Sequence, residues 1–150
     1  MASIPKSALI LALSGVLPFA WSALTILVPS FSAVARDLLG PSYVGIEVLR
    51  AYGIVILAFM AGVFWGFATK ATGRGATTGY ALSVLPALYV FFAFLPGPDA
   101  AHIKLIIGFL SLLGLDWHFW RLGLAPPWWL RLRILITVFV IICLTSGFVG

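Results

Sequence analysis

Charge is what this chain has least of. Lys and Arg number 9 and Asp and Glu 4 among 150 residues, 9% in all, against about a quarter in soluble domains, whose surface must stay wetted. That scarcity excludes a water-facing exterior and, with it, an aqueous domain. Cysteine is almost missing too: Cys143 stands alone in the apolar run ILITVFVIICL, so an internal disulfide and a cysteine-based zinc site are both ruled out, and the thiol reads as inert helix packing. What is abundant is hydrocarbon, with 63% hydrophobic residues and a mean hydropathy of +1.17. The formal net charge of +5 would suggest nucleic acid in a soluble protein. In a multi-span chain, basic residues mark cytoplasmic loops instead, so no nucleic-acid partner is expected. The expected fold is all-α, a polytopic transmembrane helix bundle of about five spans forming one integral membrane domain over residues 1–150.

Between Lys6 and Arg36 no side chain ionises, which leaves room for a first span over 7–28, at roughly 20 residues per crossing. Lys6 ahead of an apolar run ending near AWSA also resembles a secretory signal, and the run is read here as a retained first span. Pro18 is expected to kink it, because an interior proline removes an amide donor and crowds the preceding turn. Pro29 ends it, and FSAVARDLLG, with Arg36 and Asp37 among apolar neighbours, is expected to be an interfacial helix or loop. Span two covers 48–68. Within it Ala58, Gly62 and Gly66 recur every four residues and form a strip of small side chains on which another helix can approach closely. TGRGATTG follows as a flexible basic loop with Lys70 and Arg74, lacking the Gly-Lys-Ser/Thr ending of a phosphate loop. Span three, over 76–95, carries a second interior proline, Pro86, and stops at Pro96-Gly97-Pro98.

Span four, over 100–118, is short of uncharged length. Lys104 and Asp116 lie about 18 Å apart along a helix, well under a hydrocarbon core of roughly 30 Å, so one of them must sit below the membrane surface. Lysine can snorkel along its stem and aspartate cannot, which makes Asp116 the buried group, facing a partner. Span five covers 134–150. Directly before it, WHFWRLGLAPPWWLRLR gathers Trp117, Trp120, Trp128 and Trp129 with Arg121, Arg131 and Arg133, an aromatic belt and its basic companions at one membrane surface. Five spans put the chain ends on opposite sides. Lys6, Lys70, Arg74, Arg121, Arg131 and Arg133 then outnumber Arg36, Arg50 and Lys104 by six to three, which favours a cytoplasmic N-terminus.

Four blocks carry a family resemblance: SGVLPF at Ser14 to Phe19, AYGIVILAFMAGVFWG at Ala51 to Gly66, LSVLPAL at Leu82 to Leu88, and PPWWLRLRILIT at Pro126 to Thr137. Together they resemble the transmembrane protein 69 family, small multi-span membrane proteins of bacteria and mitochondria, over nearly the whole chain. The resemblance implies a multi-span fold and an inner-membrane location, and it carries no established reaction. Where relatives have a serine, a second glycine and a polar or basic residue before the tryptophan, this chain has Ala58, Ala61 and Phe64.

Three candidate sites follow from the residues. Glu47 and Arg50 are three apart and adjacent on a helix, an ion pair at the entrance to span two that reads as an anchor ahead of a proton or ion pathway. Asp116 is expected to meet Arg121, Arg131 or Arg133, since a guanidinium lowers the cost of a carboxylate near the interface. The basic and tryptophan-rich surface suits anionic lipid, cardiolipin included, although the positive-inside rule accounts for the same residues. His102 and His118 fall near opposite ends of span four and cannot share an ion, and Ser83 and Ser111 have no paired histidine nearby. No catalytic residue, cofactor or metal site is expected. The function expected is that of a non-catalytic accessory, structural or assembly subunit in the bacterial inner membrane, packed against a larger membrane complex such as a respiratory or photosynthetic one. A small transporter or channel is the alternative, with an intramembrane enzyme third and the mitochondrial inner membrane the second choice of location.

Overall fold

The computed structural model describes residues 3–149, so Gly150, the expected end of span five, lies outside the described residues. Those residues form eight α-helices and no strand: α1 Lys6–Ser14, α2 Leu17–Leu27, α3 Pro29–Leu39, α4 Ile46–Ala68, α5 Gly73–Ser83, α6 Leu85–Phe94, α7 Ala101–Arg121 and α8 Trp129–Leu144. Short 3-10 turns at Pro41–Tyr43 and Thr145–Phe148 complete them. Five helical stretches are long and apolar enough to cross a membrane: α1 with α2, α4, α5 with α6, α7, and α8 with its terminal turn.

Both interior prolines interrupt their spans. Before Pro18 the ladder tightens, Val16 donating to the carbonyl of Leu13 at 3.0 Å, and it resumes when Ala20 donates to Val16. The break before Pro86 has the same cause, and α6 restarts with Leu88 donating to Val84 at 3.1 Å. Pro29 does more than end α2. It occupies the first turn of α3, where a missing amide costs nothing, so FSAVARDLLG continues as a helix of which only Ala35 is buried.

Two boundaries depart most from the sequence expectation, and α7 also runs to Arg121, three residues past the expected end of span four. Thr72–Gly79, expected as a flexible loop, is helical from Gly73 onward. The reason is packing: a Cβ on Gly79 would lie 2.9 Å from the Cβ of Ala68, so the bare glycine lets α5 press against α4 and gain contacts that outweigh weak helix propensity. Span five begins at Trp129, five residues before 134. Pro126 and Pro127 block helix upstream, and Trp129 donates to the carbonyl of Pro126 at 3.0 Å as the new helix opens. Trp129, Arg131 and Arg133 are therefore residues of the span and not of the loop ahead of it.

Helix α4 runs through the middle, against α2, α5, α6 and α7. Leu49, Leu57, Phe64, Leu105 and Phe119 are fully buried, and Phe64 stacks on Phe119 with centroids 5.3 Å apart. Close approach is set by glycines: a Cβ on Gly53 would fall 2.6 Å from a methyl of Leu105, and one on Gly108 2.8 Å from a methyl of Leu57. Lipid is as apolar as leucine, so tight van der Waals fit of this kind takes over much of the role that water exclusion has in soluble cores. The outer surface is correspondingly greasy, with Leu11, Phe92 and Ile142 each largely exposed.

The two ends of the bundle are tied differently. At the end holding the N-terminus, the Lys70 ammonium donates to the carbonyl of Leu124 at 3.0 Å and joins two loops. At the opposite end Gly45, with φ of +68°, donates its amide to Thr25 Oγ1 at 2.8 Å and accepts from Ser22 Oγ at 2.7 Å. Trp21 Nε1 adds a bond to the carbonyl of Tyr43 at 2.8 Å. The C-terminal half of α2 thus holds the chain as it enters α4.

Candidate functional site

The one buried side-chain ion pair among the described residues lies near the N-terminal end of the bundle. Asp116 is five residues before the end of α7, about 7.5 Å along the helix, and it is fully buried. Arg133, one turn into α8, donates from Nε to Asp116 Oδ2 at 2.7 Å. Trp129 Nε1, four residues earlier on the same helix, donates to Oδ1 at 2.6 Å. Residues four apart share a helix face, so one stripe of α8 supplies both donors and each carboxylate oxygen has its own. The charge is neutralised and hydrogen-bonded, the condition under which a carboxylate is tolerable away from water.

Arg133 is thus the arginine that meets Asp116, through one nitrogen and without the two-bond fork. Arg121 and Arg131 remain exposed. Arg121 lies over the ring of Trp117 at 5.1 Å, and Trp120 donates to the carbonyl of Pro127 at 3.2 Å. Trp117 and Trp120 are roughly half exposed, as rings at a lipid interface are, whereas Trp129 turns its indole inward and Trp128 packs beside it with centroids 6.1 Å apart. The belt therefore divides: Trp117, Trp120, Arg121 and Arg131 face outward, and Trp129 and Arg133 build the interior.

Glu47 and Arg50 pair at 2.6 Å in the first turn of α4, with side chains 48% and 33% exposed. They stand at the opposite end from Asp116 and share no environment with it. Ala58, Gly62 and Gly66 lie on an exposed face of α4, where a Cβ on either glycine would meet nothing within 4 Å. No helix among the described residues covers that strip. The glycines that do bring helices together are Gly53, Gly79 and Gly108, which sequence spacing did not single out because they share no repeat. His102 and His118 sit on α7 near its two ends, the former against Gly147 and Phe148.

Sequence reasoning did not locate a cavity that the structure contains. A space of about 370 Å³ opens between α1, α2, α4, α7 and α8, lined chiefly by apolar and aromatic groups but also by Arg133 and Thr137. Arg133 Nη2 and Thr137 Oγ1 are buried and have no hydrogen-bond partner. The other buried hydroxyls among the described residues, those of Ser22, Thr25, Ser83 and Ser146, each donate to a carbonyl. A threonine inside an apolar α8 was the available signal, but a helical threonine ordinarily bonds its own preceding turn.

The chain is 27% identical over 149 residues to transmembrane protein 69 of Xenopus tropicalis, a match that covers 97% of this chain and 55% of the relative. The chain thus spans about half the length of that curated relative. No solved structure matches. A family model described as Protein of unknown function (DUF3429) matches residues 4–149, and a five-span membrane bundle of this kind, similar to transmembrane protein 69, belongs to that family.

Proposed function

We propose that this multi-span membrane protein is a non-catalytic accessory or assembly subunit that packs against another membrane protein through the outward face of α4. The observation that carries the reading is the strip of Ala58, Gly62 and Gly66, exposed and with open space above both glycines. Small residues four apart let a second helix backbone come close, and in lipid such contact is a principal source of association. The strip has no such role within the chain, where other glycines set the packing. A respiratory or photosynthetic complex in the bacterial inner membrane is the proposed host, with the N-terminus cytoplasmic by the excess of basic residues on that side. The eukaryotic relative makes the mitochondrial inner membrane the second location. Arg121 and Arg131, outward beside Trp117 and Trp120, suit the headgroups of anionic lipid such as cardiolipin.

Purification in gentle detergent followed by mass spectrometry of co-purifying subunits tests the proposal. A stoichiometric membrane partner is expected, and Gly62→Leu with Gly66→Leu removes it while the monomer stays folded, because both added side chains point into open space. If the purified chain has no partner and moves a solute across liposomes, the transporter reading replaces this one. That reading needs buried polar groups along a path, and the buried ionic residues among the described ones are confined to Asp116 and Arg133 at one end.

A further inference from the structure

The geometry points to the cavity between α1 and α8 as a binding site for an amphiphile that offers neutral carbonyl oxygens to Arg133 and Thr137. Volume comes first: about 370 Å³ falls within the range of roughly 300–1,000 Å³ typical of small-molecule pockets. The lining is the kind such pockets have, apolar and aromatic with a few polar groups. Phe19, Tyr52, Phe109 and Trp129 supply the walls, and Leu11 and Phe59, both largely exposed, form the lip toward the surrounding lipid. An occupant can therefore enter sideways from the bilayer.

The chemistry of the donors narrows the occupant. Arg133 Nη2 and Thr137 Oγ1 lie one turn apart on α8, and each is buried without a partner. Leaving such groups unpaired is costly, and an acceptor that reaches both recovers the loss. The acceptor is neutral. Asp116 already balances the Arg133 charge at 2.7 Å, so a phosphate or carboxylate brought into this low-dielectric space would add an uncompensated negative charge. A carbonyl oxygen on an apolar body satisfies the donors with no such penalty. Two membrane-soluble molecules share that chemistry, the ester carbonyls of a glycerolipid and the ring carbonyls of a quinone. This site is independent of the α4 strip, since it lies within the chain and needs no partner protein.

The test uses the full chain in dodecyl maltoside, which has no carbonyl, and reads binding by native mass spectrometry, which detects each probe by its own mass. The probes are decylubiquinone, dioleoylglycerol and, as the charged comparison, dioleoyl phosphatidate. Saturable binding of decylubiquinone or of dioleoylglycerol is expected, and the probe that binds identifies the source of the carbonyl. Thr137→Val removes the hydroxyl at nearly constant volume and should weaken that binding about five- to tenfold, the worth of one hydrogen bond. Ala12→Phe, on the α1 wall, should abolish it by filling the space while leaving the ion pair untouched. Ser111→Ala, which lies outside the cavity and loses only a bond to the carbonyl of Ile107, should leave it unchanged. Binding of phosphatidate alone, absence of binding by both neutral probes, or binding insensitive to Thr137→Val and Ala12→Phe would overturn the assignment.

Discussion

The two ion pairs among the described residues have nearly the same length and opposite surroundings. Glu47 and Arg50 meet at 2.6 Å with much of both side chains exposed, whereas Asp116 and Arg133 meet at 2.7 Å almost wholly out of reach of solvent. Distance alone would rank them equal. The difference lies in what each charge would face on losing its partner: headgroups and water at the entrance to α4, hydrocarbon at the α7–α8 contact. In a membrane protein the depth of a pair sets its consequence, and the pair with the larger consequence is the one the chain has surrounded with further donors.

The strongest way to break that comparison is to remove one member of the buried pair. Asp116→Ala leaves the Arg133 guanidinium unpaired beside an indole that has also lost its acceptor, and should destabilise the fold by about 3–5 kcal/mol, the range for a broken buried pair. Adding Arg133→Leu should recover most of that loss, since an apolar replacement for both partners is often neutral or better. Reversible unfolding in mixed micelles, followed by tryptophan fluorescence, measures both. A double variant as unstable as Asp116→Ala would show that the pair holds α7 and α8 together in its own right.

A second contrast sharpens the lesson for uncharged residues. Gly79→Ala puts a Cβ 2.9 Å from the Cβ of Ala68, which sits on its backbone and cannot rotate aside, and overpacking of this sort should cost about 1–3 kcal/mol. Gly62→Ala meets nothing within 4 Å and should stabilise α4 by up to about 1 kcal/mol through helix propensity. The same unfolding assay separates them, and equal effects would mean that α5 is not seated on α4 as described. At the other end, Thr25→Val strands the amide of Gly45, which now bonds Thr25 Oγ1 at 2.8 Å. A loss of about 1 kcal/mol is expected, the low end for an unsatisfied group because this amide is only partly buried, and faster hydrogen exchange at Gly45 would report it directly.

How much of this could be read from the sequence follows from which interactions are local. Span number, the interruptions at Pro18 and Pro86, and the burial of Asp116 all depend on chain length, proline chemistry and side-chain reach, and each was visible in the residues. The identity of the Asp116 partner was narrowed to Arg121, Arg131 and Arg133, but the choice waits on the facing of α8. That helix starts at Trp129, which puts Arg133 on the stripe turned toward α7 and Arg131 outside. The helical Thr72–Gly79 segment was illegible for the same reason: glycine and threonine signal a loop until Ala68 is known to lie opposite Gly79. The position and lining of the cavity were beyond reach because it is a shared absence of side chains among five helices, and no local pattern encodes that.

Glu47→Gln closes the comparison at its weak end. The substitution keeps the side chain's length and one acceptor for Arg50 while deleting the charge, so what disappears is an attraction already diluted by exposure. Exposed pairs are worth about 0–1 kcal/mol, and the helix geometry of residues three apart places this one toward the lower half of that range. The effect should also shrink as salt rises, because screening acts on partly solvated charges over about 10 Å at 0.1 M ionic strength. Asp116→Ala, buried, should lose the same stability at low and high salt. Measured side by side, a Glu47→Gln penalty that is large and indifferent to salt would mean that the entrance to α4 lies deeper in the membrane than its exposed side chains indicate, and the contrast between the two pairs would then fail.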